Sequence, residues 1–356
     1  MKTNRPNDQQ NKTKVVRPPG AKQNSVSIES YDTPIDNTRV ILNEQKSPVE
    51  TVHIDGVKLN LNNESGRRLK NRFELQEKIG SGGMGDIYKA LDLRAQEGQM
   101  YPYVAIKLLN RDFAKRENAF IALQREASKT RSIPSQNIVQ VYDFDRDGET
   151  FFMGMEILEG ESLDEFLKHH PEGASREEAV RIINGFCQGL LDAHSQNTIH
   201  SDLKPGNIFY TSEKITKVLD FGLARAVQNP GTSADGKNET VFDPGSLGAL
   251  TPSYASYEML TGEVPSKSDD VFAAALVAYE LFTGKHPFDR KPADEAFKMG
   301  LKPERIRALS RGQWRAMRTG LALKQADRTE TIEEFRSSLL RESVFQKFIG
   351  KVFRTD

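Results

Sequence analysis

Six residues, Gly80-Ser81-Gly82-Gly83-Met84-Gly85, separate two segments that both alternate apolar and polar side chains. Phe73-Glu74-Leu75-Gln76-Glu77-Lys78-Ile79 precedes them and Ile87-Tyr88-Lys89-Ala90-Leu91 follows, each with the period-two pattern of a strand that has one covered face. A Gly-rich turn between two strands is a β-hairpin. It excludes the strand-to-helix turn of a dinucleotide-binding unit, in which the same glycines would open a helix. Positions without side chains let backbone N–H groups approach a bound phosphate. Taken alone the motif is weak, because Gly-rich turns are common and most are ordinary hairpin turns.

Downstream segments supply the context. Twenty-two residues after Gly85, the β-branched run Val104-Ala105-Ile106 ends in Lys107, and Phe120 to Ala127 follows as a helical stretch containing Glu126. A lone strand-end lysine is usually a solvated edge residue, and a lone helix glutamate usually a surface charge. Farther on, His200-Ser201-Asp202-Leu203-Lys204-Pro205-Gly206-Asn207 is followed by Asp220-Phe221-Gly222. Asp202 can accept a hydroxyl proton, Lys204 can steady a migrating phosphoryl group, and Asn207 with Asp220 offers oxygen ligands to Mg²⁺, a hard cation that prefers them.

In order and spacing these segments resemble the signature set of the protein kinases, specifically bacterial Hanks-type (eukaryotic-like) serine/threonine protein kinases. The resemblance covers about residues 72–340. It implies ATP and Mg²⁺ as cofactors, with the nucleotide contacted by Ile79, the loop Gly80, Ser81, Gly82, Gly83, Met84 and Gly85, then Ile87, Ala105 and Lys107. Met155-Glu156-Ile157-Leu158 resembles the hinge, where backbone groups of Glu156 and Leu158 would meet adenine and Met155 would gate the pocket behind it. Lys107 would hold phosphates and pair with Glu126. Asp202 and Lys204 would act in catalysis, and Asn207 and Asp220 would bind the metal.

Thr251-Pro252-Ser253-Tyr254-Ala255-Ser256-Tyr257-Glu258 resembles the family's segment that docks a peptide substrate; Thr251, implied as a catalytic residue, and Glu258 keep the family's positions, and Ser256-Tyr257 stands in place of Ala-Pro. Asp270 would bind the catalytic loop from below, and Arg328 would form a buried ion pair with Glu258. The implied fold is α+β and bilobal, a small antiparallel-sheet lobe with its hinge over residues 72–158 and a larger, mainly helical lobe over 159–340. Strands are expected near 73–79, 86–91, 102–109, 139–145 and 151–156, and a helix near 117–131. The polar insert from Asp92 to Pro102 reads as a protruding loop. Ser162 and Glu165 have capping-box spacing ahead of a helix.

Two departures bear on regulation and substrate. Ser201 stands where the family's commonest loop, H-R-D, has the arginine that reaches a phosphorylated activation segment. Activity is therefore expected not to depend on phosphorylation between Asp220 and Glu258, although Thr232, Ser233, Thr240 and Ser246 lie there. The loop also partly echoes the H-G-D-L-H-P-G-N of aminoglycoside phosphotransferases, small-molecule kinases of the same bilobal fold. Lys204, the docking segment, Asp270 and Arg328 belong instead to the protein-kinase pattern. A pseudokinase scaffold is the non-enzymatic alternative, against which Lys107, Glu126, Asp202, Asn207 and Asp220 are all present.

Composition bounds the remainder. The 50 basic and 50 acidic residues cancel, so bulk charge points to no nucleic-acid partner. No apolar run is long enough to span a membrane, and a cytoplasmic protein acting on protein substrates is expected. The one cysteine, Cys187, sits in an apolar helical run and reads as a core residue. The histidines outside the catalytic loop are scattered or adjacent without metal-ligand spacing and read as lone polar residues. Residues 1–68 are dense in Asn, Gln, Lys, Pro and Ser and read as a disordered tail, too poor in apolar area to offset ordering entropy. Within that tail Thr13, Thr38 and Thr51 each stand three residues before a β-branched aliphatic. This spacing resembles sites that forkhead-associated domains read once phosphorylated, and it also fits chance. Residues 341–356 pair Val344-Phe345, Phe348-Ile349 and Val352-Phe353 among Lys347, Lys351 and Arg354, a basic amphipathic helix expected to pack on the large lobe, with a membrane surface or a partner as the alternative.

Overall fold

The computed structural model describes residues 64–82, 85–95, 102–110, 124, 127–221 and 251–341, together with the backbone of three short strands nearer the N-terminus. The chain separates into two compact units, Met1–Ile35 and Asp36–Asp356, and every described residue lies in the second. No helix among the described residues is long and apolar enough to cross a membrane.

The strands are β1 (Arg39–Val40), β2 (Thr51–Ile54), β3 (Val57–Asn60), β4 (Arg68–Leu69), β5 (Phe73–Gly82), β6 (Gly85–Asp92), β7 (Tyr103–Leu109), β8 (Val141–Asp147), β9 (Thr150–Met155), β10 (Gly160–Ser162), β11 (Ile208–Thr211) and β12 (Thr216–Val218). The small lobe is an antiparallel sheet in the order β1-β5-β6-β7-β9-β8, with β4 also paired to β5. Its hairpin β5–β6 closes on the Gly-rich turn, with Gly82 opposite Gly85. Alternation along these strands puts Leu75, Tyr88, Ile106 and Phe152 into one buried cluster. Ile79, Ile87, Ala105 and Met153 belong to another, which continues across to Phe209 and Leu219 of the large lobe. The second cluster is therefore shared by both lobes. Gly85 is required here on geometry: its φ is +151°, and a Cβ would fall on the Leu108 carbonyl.

Short strands are described within residues 1–68. Arg39–Val40 adds to the sheet beside Gly80 and Ser81, and β2 pairs with β3 over Thr51–Ile54 and Val57–Asn60. Gly66 and Leu75 exchange backbone bonds with the opposite segment, Gly66 N–H to the Leu75 carbonyl at 2.7 Å and Leu75 N–H to the Arg67 carbonyl at 2.9 Å. The average composition of residues 1–68 hid short β-branched runs such as Thr51-Val52-His53-Ile54, which need only a cross-strand partner. Thr13 and Thr38, the side chain of Thr51 and the residues after Arg341 lie outside the described residues, as do 96–101 of the insert.

The large lobe contains α1 (Leu163–His169), α2 (Arg176–Ser195), α3 (Tyr257–Leu260), α4 (Lys267–Thr283), α5 (Ala293–Lys298), α6 (Arg311–Gly320) and α7 (Ile332–Leu339). Every residue of α4 from Ser268 to Leu281 is buried. A helix apolar on all sides belongs at the centre of a lobe, and α2, α6 and α7 pack around it. A capping box at Ser266 and Asp269 starts α4, and Gly284 ends it in the left-handed region at φ +68°, where a Cβ would strike the Pro171 carbonyl.

Two local expectations are revised. Ser162 does occupy the N-cap of α1, but its side chain makes no capping bond, and Glu165 pairs instead with Lys168 at 2.9 Å. The strand expected from 139 begins at Val141, because Val139 N–H bonds the Val218 carbonyl of the large lobe at 3.0 Å. Residues 127–131 are helical, matching the expected end of that helix.

Candidate active site

The catalytic loop is built on α4. Asp270, buried in its first turn, accepts the His200 N–H at 2.8 Å, the Ser201 N–H at 2.9 Å and His194 Nε2–H at 2.7 Å. Burial pushes the Asp270 carboxyl up, yet the bonds from His194 and His200 prevail and hold it below the ordinary carboxylate range. His200 Nδ1 accepts the Asp202 N–H at 3.2 Å, so its proton is on Nε2, which donates to the Leu219 carbonyl at 2.8 Å. Through that one imidazole the loop is tied to the strand leading into Asp220. Ser201 and Asp220 both have positive φ, +65° and +59°. Left-handed backbone at non-glycine residues costs energy and persists where surrounding bonds over-determine it, as they do here.

Around Asp202 the sequence candidates converge. Asn207, set by the 3-10 turn Pro205–Asn207, donates its Nδ2 to the Asp202 carbonyl at 2.8 Å and to Asp202 Oδ2 at 3.2 Å. Lys204 Nζ lies 3.3 Å from Asp202 Oδ2 and donates to Thr251 Oγ1 at 2.6 Å. The Thr251 N–H points at Asp202 Oδ1, 3.4 Å away. Leu219 N–H to the Asn207 carbonyl, 2.8 Å, brings Asp220 alongside. Lys107, 2% exposed, donates to Asp220 Oδ2 at 2.6 Å. Glu126, its expected partner, lies outside the described residues, as do Gly83, Met84 and the segment 222–250 with its four hydroxyl side chains.

Between the lobes is a cleft. Ile79, Ile87, Ala105, Lys107, Met155, Glu156 and Leu158 line it, and Asp220 stands with Lys107 among the lining residues. Val139, Phe209 and Leu219 complete the lining and were missed, since nothing in their local pattern separates a cleft wall from ordinary core. An apolar slot with a lysine and a carboxylate suits a planar base carrying phosphates. Asn207 and Asp220 supply oxygen donors of the type Mg²⁺ takes, so the chain's residues fit both cofactors.

The docking segment is fixed to the large lobe. Arg328 Nη2 pairs with Glu258 Oε2 at 2.7 Å, and the Gln325 N–H reaches Glu258 Oε1 at 2.8 Å. Burial raises the Glu258 carboxyl, but these two donors outweigh it and keep it below its usual range. The Ser256-Tyr257 departure has a structural account. Ser256 Oγ donates to Asp269 Oδ1 at 2.6 Å and accepts the Met259 N–H at 3.1 Å, capping α3, while Tyr257 meets Phe297 edge to face at 5.4 Å.

Two histidines taken as lone polar residues are fully engaged. His194 supports Asp270, and His286 Nε2 donates to the Ser253 carbonyl at 3.0 Å while its Nδ1 accepts the Phe288 and Arg290 N–H groups, each at 3.1 Å. The Phe288 and Arg290 N–H groups are local to His286, whereas only the fold brings Ser253 to His286 and Asp270 to His194 from distant sequence. Ser201 is 7% exposed, and its hydroxyl has no hydrogen-bond partner among the described residues.

A two-lobed fold with an apolar interlobe cleft, a Lys–Asp pair and an Asp-Lys-Asn-Thr constellation defines a protein kinase domain. The family model described as protein kinase domain matches residues 73–356, and the chain belongs to that family. Within it the chain stands with the bacterial Hanks-type serine/threonine kinases. It is 32% identical over 254 residues to serine/threonine-protein kinase PrkC of Bacillus subtilis, covering 70% of this chain and 36% of PrkC. It is 31% identical over 284 residues to serine/threonine-protein kinase PknB of Mycobacterium tuberculosis, covering 77% of this chain and 43% of PknB. The chain thus spans less than half the length of these relatives. In fold it is similar to the Mycobacterium tuberculosis PknI kinase domain, with TM-score 0.59 at 22% identity over 77% of this chain and 97% of that one. A structure described as PpkA-294 in its apo form gives TM-score 0.62 at 23% identity over 77% and 98%.

Proposed function

We propose that this chain transfers the γ-phosphoryl group of ATP, with Mg²⁺, to serine and threonine hydroxyls of proteins, its own included. The observation that carries this reading is the convergence of Lys204, Asn207 and Thr251 on Asp202, beside the Lys107–Asp220 pair that lines the interlobe cleft. Asp202 would orient the acceptor hydroxyl and take its proton. Lys204, already in contact with both Asp202 and Thr251, would neutralise charge on the moving phosphoryl group while Thr251 fixes the edge of the acceptor site. Lys107 would align the α and β phosphates and turn toward Glu126 when nucleotide is present. Asn207 and Asp220 would hold Mg²⁺, which when bound neutralises phosphate charge. Glu156 and Leu158 would receive adenine through their backbone groups, with Met155 behind. Most of the rate would come from positioning and electrostatics.

Ser201 ends too soon to bridge to a phosphate on the segment after Asp220, so activity should not require phosphorylation there. The Lys204–Thr251 contact favours a protein acceptor over a small molecule, because Thr251 begins a docking segment anchored by Arg328. Thr13, Thr38 and Thr51 are candidate autophosphorylation sites for a forkhead-associated reader. The test is labelling with γ-labelled ATP and Mg²⁺, followed by peptide mapping. Asp202→Ala should lower incorporation by roughly 10²- to 10⁴-fold, the usual contribution of a positioned base, while the protein stays folded. Undiminished labelling in that variant would remove the proposed role of Asp202, and absence of label in the parent despite ATP binding would favour a scaffold.

A further inference from the structure

The Gly-rich strand has a neighbour that its motif does not call for. Gly80 and Ser81 belong to β5, whose hairpin partner β6 takes one edge. The other edge is taken by β1, antiparallel, with Val40 opposite Gly80 and Arg39 opposite Ser81. An open strand edge presents unsatisfied N–H and C=O groups, and β1 meets them at the two positions before Gly82.

The same segment reaches the other lobe. β1 also lies against β10, and β10 pairs with β11 in the three-stranded sheet of the large lobe. Cleft residues stand next to both contacts: Ile79 directly precedes Gly80, and Leu158 lies two residues before Gly160. A strand held at Gly80–Ser81 on one side and at Gly160–Ser162 on the other therefore runs from rim to rim across the mouth of the cleft. Because β10 in turn lies against the Pro205–Asn207 turn, the crossing ends beside the catalytic loop.

This bridge is built to open. β1 is two residues long, and of two successive residues in an antiparallel ladder one exchanges both bonds while the other exchanges none. A single hydrogen-bonded pair thus holds it, a grip that local opening can break without unfolding the rest. Separation of the lobes and passage of a nucleotide under the Gly-rich turn both need that grip released.

We infer that β1 is an autoinhibitory strap: by adding a strand to the Gly-rich hairpin and resting on β10, it closes the front of the cleft against ATP. The inference rests on the proposed reading of that cleft as an ATP site. A ligand that enters only the open form has its apparent dissociation constant raised by the inverse of the open fraction, so a strap held by two hydrogen bonds weakens ATP binding by roughly tenfold.

The experiment uses the full chain and a fluorescent mant-labelled ATP with Mg²⁺, followed by stopped flow. Arg39→Pro with Val40→Pro removes the N–H groups of both strap residues, and with them the pairing, whichever residue makes it. This variant should bind the nucleotide about tenfold more tightly, chiefly through faster association. Its kcat in the labelling reaction should stay that of the parent, while amide exchange over Ile79–Gly82 should quicken. Arg39→Cys with Ser81→Cys gives the converse, since the two positions are directly opposite and the native cysteine, Cys187, is buried. Oxidised, that protein should take up nucleotide roughly tenfold more slowly, or slower still, than the same protein after reduction. Parent-like binding by the proline variant would overturn the inference, as would weaker binding, which would make β1 a wall of the site. Cysteines that do not cross-link, or equal rates before and after reduction, would overturn it too. Absence of nucleotide binding from all of these proteins would overturn the reading of the cleft, and the strap with it.

Discussion

His286 must be neutral for the docking segment to hold its shape. Its Nδ1 accepts two backbone N–H groups, from Phe288 and Arg290, and protonation would turn that acceptor into a third donor. Burial, with the nearby Arg290 charge, pushes its pKa down to about 4, against the smaller upward pulls of the Ser253 carbonyl and Asp289. The sign follows from linkage. Between about 4 and the ordinary 6.5 the unfolded chain binds a proton that the folded chain refuses, so stability is complete above that window and falls as pH drops through it. A shift of that size is worth about 3 kcal/mol at most. Urea unfolding at pH 7, 6 and 5 should show this loss before most carboxylates titrate. His286→Asn, which can offer an amide oxygen near the Nδ1 position, should flatten the slope above pH 5. An unchanged slope would assign the loss to other groups. Nothing in the sequence distinguished His286 from a surface histidine, because the burial that sets its pKa and its partner Ser253, on the far side of α4, come only with the fold. Asp202, Asn207 and Asp220, by contrast, were legible because their spacing is itself the signature.

At the scale of elements, the docking segment and α4 are joined through Arg328. Its guanidinium pairs with Glu258, lies 3.6 Å from Asp269 Oδ1 and donates to the carbonyls of Ser268, Ala322 and Leu323. Such a pair contributes little net stability compared with an apolar replacement, but removing one member leaves the other charge buried alone. Arg328→Met should therefore cost about 3–5 kcal/mol, lowering the melting temperature by several degrees at least. Arg328→Met combined with Glu258→Gln should recover part of that loss in thermal unfolding, since the stranded carboxylate is gone. Additive losses would show that the two residues act independently. Strand existence was legible from alternation, and strand ends were not. Val139 left its apparent strand because it bonds Val218 across the lobes, and the short strands near the N-terminus depend on partners that no local pattern announces.

On the scale of the whole molecule, the two lobes meet through a polar clamp at the hinge as well as through the shared apolar cluster. Asn137 Nδ2 donates to the Thr216 carbonyl at 2.8 Å, and Val218 N–H bonds the Asn137 carbonyl at the same distance, so the approach to β8 is stitched to β12. Glu156 completes the clamp. Its Oε1 accepts both the Gln140 N–H at 2.7 Å and Lys217 Nζ at 2.6 Å, while its own N–H bonds the Gln140 carbonyl at 2.9 Å. With that N–H engaged, the groups proposed to meet adenine are the Glu156 carbonyl and the Leu158 N–H. The carboxylate therefore fixes the position of the carbonyl proposed to meet adenine, and it does so through residues of both lobes. The sequence marked Glu156 as a hinge residue through its backbone alone; the clamp was not legible, because Lys217 is sixty-one residues away and reads as an exposed strand lysine. Lys217→Met removes one of the two donors to Glu156 without touching the cleft. Steady-state kinetics should then show KM for ATP raised several-fold with kcat nearly unchanged, the pattern of lost uniform binding rather than lost transition-state stabilisation. Lys217→Arg, which keeps a donor, should restore most of the affinity. A fall in kcat with KM unaltered would instead mean that the clamp governs the closing of the lobes, and the positioning role of Glu156 would have to be given up.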